Sequence, residues 1–356
     1  MERKLTELCY IQYGYAFDSA KFTEDSNYPP LVRIRDVQRG YSETYYSGDY
    51  SKEYVLHFGD LLIGMDGEFN IARWKSRDAL LNQRVCKITA KKDTSEEYLR
   101  FALSKSLKEI EDRTAFVTVK HLSAKELNKL VIDIPPYAEQ ITIANALGRI
   151  EHIIFARQQE LQKLDELVKA RFVEMFGSVE NNVLGLETIK IKNACDLING
   201  KAFKPEDWSD EGLPIVRIQN LNNEQAPFNY YAGEIKAQYL IDTGELLFSW
   251  SGTPGTSFGA FFWNRGKAVL NQHIFRVKPK IEVNLSFLQF ALNGRIDYII
   301  SKAHGGVGLQ HITKKELDEV ELLLPAIDLQ NQFAVFVEQI DKSKFVKKIE
   351  QSEVLL

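Results

Sequence analysis

The chain repeats itself. Gly14-Tyr15-Ala16-Phe17 stands beside Gly200-Lys201-Ala202-Phe203, and the run from Pro30 to Val37 (PLVRIRDV) beside the run from Pro214 to Leu221 (PIVRIQNL). Tyr45-Tyr46 matches Tyr230-Tyr231, and Gly59-Asp60-Leu61-Leu62 matches Gly244-Glu245-Leu246-Leu247. Leu81-Asn82-Gln83-Arg84-Val85 matches Leu270-Asn271-Gln272-His273-Ile274, and Lys120 to Leu127 matches Gln310 to Leu317. The order never changes. The offset opens at 186, dips to 184 and ends at 190, so only loops differ in length. Self-similarity of this kind constrains a fold more than any local signal, because both copies must adopt one unit.

Each unit is a globular segment followed by a helix. Between Glu139 and Gly177, apolar residues fall at Ile143, Leu147, Ile150, Ile154, Leu161, Leu164, Val168 and Met175, in steps of three and four apart from Arg157 and one longer step. That is a coiled-coil-like stripe. Pro135 and Pro136 precede it and Gly177 closes it, as helix boundaries require. Such a helix spans roughly 58 Å, too long for one small globule. A second stripe, Leu329, Phe333, Phe336 and Ile340, opens the equivalent helix near the C-terminus. Inside the globules, Leu61–Ile63, Val85–Ile88 and Val131–Ile134 read as strands, as do their twins. Ser95–Asp112 and Leu285–Ser301 read as helices. Ser123 with Glu126, and Thr313 with Glu316, form capping boxes. The expected class is α+β: two tandem, repeat-related mixed α/β domains, separated by long helices packing as an antiparallel coiled coil, with pseudo-twofold symmetry. The expected boundaries are 1–137, 138–177 (central helix), 178–324 and 325–356 (C-terminal helix).

Composition excludes several classes. No run of eighteen apolar residues exists, so no membrane span is expected. The charged N-terminus lacks a signal-peptide core. Cys9, Cys86 and Cys195 show no CxxC spacing, and Cys9 and Cys195 are repeat equivalents, which favours core packing and a reducing cytoplasm. No HExxH or Cys/His cluster suggests a metal. Ile134-Pro135-Pro136-Tyr137 imitates an amino-methyltransferase motif, but Ile134 cannot hydrogen-bond a target amine, and the second copy drops both the second proline and the tyrosine.

These features together resemble the specificity subunit of Type I restriction–modification systems. The resemblance rests on the Leu-Asn-Gln stretches at 81–83 and 270–272, the Pro then Glu/Leu-Gln entries to each helix, the Leu167-to-Gly177 helix ending and the two-unit repeat. It implies a non-catalytic reader of double-stranded DNA, each domain recognising one half of a bipartite target. The helices would set the spacer and dock two modification subunits, which bind S-adenosylmethionine and methylate adenine. Restriction subunits would add ATP- and Mg²⁺-dependent translocation and cleavage. The chain itself would hold no cofactor. Two features depart from the pattern: the C-terminal helix is short, and the charge is not basic. Lys+Arg against Asp+Glu is 21 against 21 in residues 1–137 and 15 against 17 in 178–324. The rival readings are a stand-alone DNA enzyme, and an adaptor that captures modification subunits without reading DNA.

Candidate DNA contacts follow from chemistry. Arg33 and Arg35, with Arg217 and Gln219, sit two apart and would share a strand face. Arginine binds guanine bidentately, and glutamine adenine. Ser251, Thr253, Thr256 and Ser257 line a small polar loop, without a Walker lysine, whose hydroxyls suit phosphates or bases. Lys120 and Gln310 precede capped helices. Arg73 and Lys75 flank Trp74, and Arg265 and Lys267 follow Trp263, on possible phosphate-facing hairpins.

Overall fold

A computed structural model describes residues 1–113, 121–306 and 309–355. The chain divides into two compact units, Met1–Phe155 and Ala156–Leu356.

Each unit is built on a four-stranded antiparallel sheet. In the first, Cys9–Tyr13, Val85–Ala90, Leu61–Gly64 and Ile71–Arg73 lie in that spatial order. In the second, the order is Cys195–Asn199, Ile274–Pro279, Glu245–Ser249 and Gly259–Trp263. The registers coincide: Val85 lies opposite Gly64, and Ile274 opposite Ser249. A smaller sheet adjoins each. Leu31–Val32 runs parallel to Ala79–Leu81, which pairs with Val55–Leu56. Leu213–Val216 likewise runs parallel to Ala268–Leu270, which pairs with Leu240–Ile241.

The matching glycines and asparagines are two halves of one contact. Gly14 N–H donates to Val85 O (3.1 Å) and Gly200 N–H to Ile274 O (3.2 Å). A Cβ on Gly14 would stand 2.0 Å from the Asn82 carbonyl oxygen, and one on Gly200 2.2 Å from that of Asn271. Only glycine allows this approach. The two motifs, 68 residues apart in the first copy and 71 in the second, are therefore kept together in both.

First and last strands close each unit. Glu2–Lys4 pairs with Val131–Asp133, and Thr188–Lys190 with Glu321–Leu323. A long helix follows each closure, Tyr137–Phe176 and Ile327–Leu355. A buried glutamine fastens each helix start. Gln140 accepts from Ser95 N–H (2.8 Å) and donates to Pro135 O (2.9 Å). Gln330 accepts from Asn284 N–H (2.9 Å) and donates to Pro325 O (2.8 Å). Gly177 ends the central helix with φ +72°, its N–H donating to Val173 O (2.8 Å). Both capping boxes form, with Ser123 Oγ and Thr313 Oγ1 accepting from Glu126 and Glu316 N–H. The expected helix 285–301 is broken: Leu285–Asn293 stops at Gly294, and Ile296–Lys302 restarts after Arg295.

The central helix joins the two cores differently. In the first unit its stripe is half-buried, and Arg100 pairs with Glu151 (2.6 Å). In the second, Val168, Phe172, Met175 and Phe176 enter the core beside Phe287, Phe333 and Val337. There the end of the central helix runs antiparallel to the C-terminal helix: Phe172 meets Phe333, Asp165 pairs with Lys344 (2.6 Å), and Glu160 with Lys347 (2.7 Å). The three thiols are buried. Cys9 Sγ donates to Leu5 O (3.4 Å) and Cys195 Sγ to Ile191 O (3.6 Å). Burial pushes the Cys9 thiol up to about 11, the Cys195 thiol to about 12, and raises Cys86 also.

Candidate nucleic-acid interface

In each unit the third sheet strand runs into a short segment that bridges two others. Met65 N–H donates to Arg84 O (2.9 Å), and Met65 O accepts from Leu122 N–H (2.7 Å). Trp250 repeats this, donating to His273 O (3.3 Å) and accepting from Ile312 N–H (3.2 Å). The next residues also correspond, since Asp66 bridges to His121 and Ser251 pairs with His311. The repeat thus gathers positions 66, 84 and 121 at one spot, and 251, 273 and 311 at its twin.

In the second unit this spot brings two predicted loops together. Ser251–Gly252, Leu309–His311 and His304–Gly306 form a three-stranded sheet, with Gln310 opposite both Gly252 and Gly305. Ser251 is buried within it. The following loop closes on itself: Thr253 N–H donates to Ser257 Oγ (3.1 Å), Ser257 N–H to Thr253 O (3.0 Å), and Thr256 Oγ1 to Thr253 O (3.3 Å). Thr253 and Thr256 remain exposed at its tip.

Five buried polar atoms of this region have no hydrogen-bond partner among the described residues: Arg217 Nε, Ser249 Oγ, Trp250 Nε1, His273 Nδ1 and Gln310 Oε1. Leaving such an atom unpaired costs about 1–3 kcal/mol. Five in one neighbourhood leave this spot less internally satisfied than native cores usually are. His273 lies against Trp250, ring centres 5.5 Å apart. Burial, and then His311, hold its pKa below the usual histidine value. Gln272 Nε2 lies 3.3 Å from His273 Nε2.

The first unit answers the same position with charge. Asp66 pairs with Arg84 Nε at 3.3 Å and with His121 Nδ1, and Arg84 Nη1 lies 3.4 Å from that imidazole nitrogen. Arg84 is half exposed.

The arginine pairs beside these spots are not on strands. Arg33 and Arg217 are the N-cap residues of short helices, Ile34–Arg39 and Ile218–Asn222. Arg35 and Gln219 lie within the first turn of those helices. The reason is local: Asp36 and Asn220 accept from the Arg33 and Arg217 N–H groups (2.9 and 3.1 Å) and turn the chain out of the sheet. Ile34 and Ile218 face Gly64 and Gly252, which sets each helix start beside its spot. Arg33 is exposed; Arg217 is half-buried and lies over the Trp208 ring, 5.5 Å from its centre. Arg35 Nη2 donates to Thr44 Oγ1 (3.4 Å), and Gln219 Nε2 to Pro227 O (3.3 Å).

Arg73 does not fit the phosphate role expected of it. Its guanidinium donates to Glu96 (2.8 Å), Glu97 (2.8 and 3.0 Å) and Gly59 O (2.8 Å), tying the edge strand to the Glu96–Arg113 helix. Arg265 is similarly engaged with the Asn220 and Glu224 carbonyls. Lys75 is exposed, with its stem against Gly40. Lys120 lies outside the described residues. Sequence reasoning passed over Arg84, Trp250 and His273. The signal was present: position 84/273 directly follows a shared Leu-Asn-Gln and differs between the copies.

The model of the Type I restriction modification DNA specificity domain matches twice, at residues 1–166 and 184–353. The chain belongs to this family. It is 36% identical over 367 residues to the Type I restriction enzyme EcoBI specificity subunit of Escherichia coli, covering 93% of this chain and 77% of that protein. It is 22% identical to the putative type I restriction enzyme MjaX specificity subunit of Methanocaldococcus jannaschii, covering 94% and 86%. Among solved structures, the Type I S subunit from M. genitalium shares the fold with a TM-score of 0.57 at 15% identity, covering 100% of this chain and 92% of that one. A chain from a structure on complex assembly and conformational transition of the type I R-M system gives 0.55 at 16%, covering 99% and 94%. The twofold match to the specificity domain coincides with the repeated sheet and its repeated spot. No helix among the described residues is long and apolar enough to cross a membrane.

Proposed function

We propose that the chain is the non-catalytic DNA-reading subunit of a Type I restriction–modification complex in the cytoplasm. Residues 1–137 and 178–324 act as recognition domains, each reading one half of a bipartite duplex target. The helices at 138–177 and 325–356 set the spacer and dock two modification subunits. Those partners hold S-adenosylmethionine and methylate adenine, while restriction subunits use ATP and Mg²⁺. The observation that carries this reading is the repeated spot, where one frame presents an ion cluster in one unit and unpaired polar atoms in the other. Arg33, Arg35, Lys75, Arg217, Gln219, Ser251, Thr253, Thr256, Ser257 and Gln310 are the contacts proposed around it, and Lys120 is kept on sequence grounds.

Neither globule is basic, so phosphate neutralisation by this chain alone is limited. The modification subunits supply much of the grip. Single-molecule methylation sequencing of cells with and without the chain, in the presence of its modification subunit, tests the proposal. A bipartite methyl-adenine motif that requires the chain is expected. A complex that copurifies yet adds no motif supports the adaptor reading instead.

A further inference from the structure

We propose that Arg84 is a discriminating side chain of the first half-site, reading a guanine, with Asp66 acting as its positioning residue. This rests on the DNA-reading proposal above. Residues 84 and 273 occupy one place in one frame: each follows Leu-Asn-Gln, and each gives its carbonyl to residue 65 or 250. Backbone and neighbours are shared, while the side chains differ in kind. A common frame with a varied side chain is what reading two different half-sites requires.

The chemistry of each side chain specifies what it takes. Asp66 holds the Nε edge of Arg84, and His121 stands by Nη1. The guanidinium is therefore anchored at one edge while remaining half exposed. An anchored guanidinium can present two parallel N–H groups, which match guanine O6 and N7 in the major groove and no other base equally well. Asp66 also binds His121, so the carboxylate is itself held from two sides. Among the described residues His273 has no acidic neighbour of this kind, because Ser251 stands where Asp66 does. Its ring lies against Trp250 with Nδ1 buried, so the second unit presents nothing like the exposed arginine fork at this place.

The test uses the full chain assembled with its modification subunit. The wild-type motif is read by methylation sequencing, and binding is measured across duplexes varied one base pair at a time. Arg84→Gln is expected to make one guanine of the first half-site degenerate, with discrimination there falling about ten- to a hundredfold. The second half-site should keep its sequence. Asp66→Asn should relax the same base pair, and Asp66→Glu should restore it, with melting temperature recorded for each variant. Wild-type discrimination at every position in Arg84→Gln overturns the assignment. Asp66→Asn lowering affinity evenly across all duplexes overturns the positioning role. A wild-type chain that directs no motif at all overturns the DNA-reading proposal, and this assignment with it.

Discussion

At the end of Leu61–Gly64 the first unit sets Asp66, Arg84 and His121 in mutual contact; at the end of Glu245–Ser249 the second sets Ser251, His273 and His311. The backbone hydrogen bonds are the same, and the histidines at 121 and 311 are the same residue in the repeat. Two substitutions, Asp to Ser and Arg to His, separate a self-paired ion cluster from a site of one serine and two histidines with unpaired atoms nearby. The frame and the chemistry it displays thus vary independently. The units also differ in what lies beneath: the first core stops near Ile134, whereas the second takes in the end of the central helix.

The largest expected effect tests that second difference. Phe176 is fully buried between Phe287 and Phe333. Phe176→Ala should cost about 3–5 kcal/mol, confined to the second unit. Hydrogen exchange should show the sheet of residues 195–279 opening while that of residues 9–90 stays protected. Equal loss in both would dissolve the distinction between the cores.

Gly14→Ala and Gly200→Ala probe what the units share. Either Cβ would collide with an asparagine carbonyl, and each should destabilise its own unit by about 2–3 kcal/mol. Thermal melts of the two variants should therefore be alike, and a marked asymmetry would argue that the frame is not equivalent. Ser251→Asp combined with His273→Arg rebuilds the first unit's cluster around the existing His311. The second half-site should then gain a guanine preference of about 1–3 kcal/mol at one base pair, seen in duplex competition.

The smallest difference lies in the capping boxes. Thr313, and then His304, hold the Glu316 carboxyl down at about 2, whereas Glu126 is lowered mainly by Ser123. A carboxylate with a depressed pKa stabilises the fold above its unfolded value and loses that effect as pH falls through the folded one. On acidification the Lys314–Asp318 helix should keep its cap to near pH 2. Carboxyl NMR titration should place Glu316 below Glu126, and His304→Ala should narrow the gap.

Much of the architecture was legible because the repeat samples it twice. The Gly14 and Asn82 motifs, the glutamines at 140 and 330, and the capping boxes all recur, and all proved to be contacts that hold the frame. The short helix at Ile34–Arg39 was not legible from alternation, since Val32, Arg33, Ile34 and Arg35 alternate apolar and polar as a strand does. Asp36 decides the matter by accepting from the Arg33 N–H, a signal that periodicity ignores. Arg73 was misread for another reason. Its carboxylate partners lie 23 and 24 residues away, on a helix brought near only by folding. Trp250 carries no sequence signal of its own, and only the fold sets its ring beside that of His273.

The buried thiols give the molecule a built-in chemical clock. Each is a poor nucleophile while its unit is closed, because burial suppresses the thiolate that alkylating reagents attack. Cys9 and Cys86 belong to the first unit and Cys195 to the second. The rate at which each becomes labelled under native conditions therefore counts the openings of its own unit. A mass spectrum of the untagged wild-type chain can follow both halves separately, before and after a duplex is added.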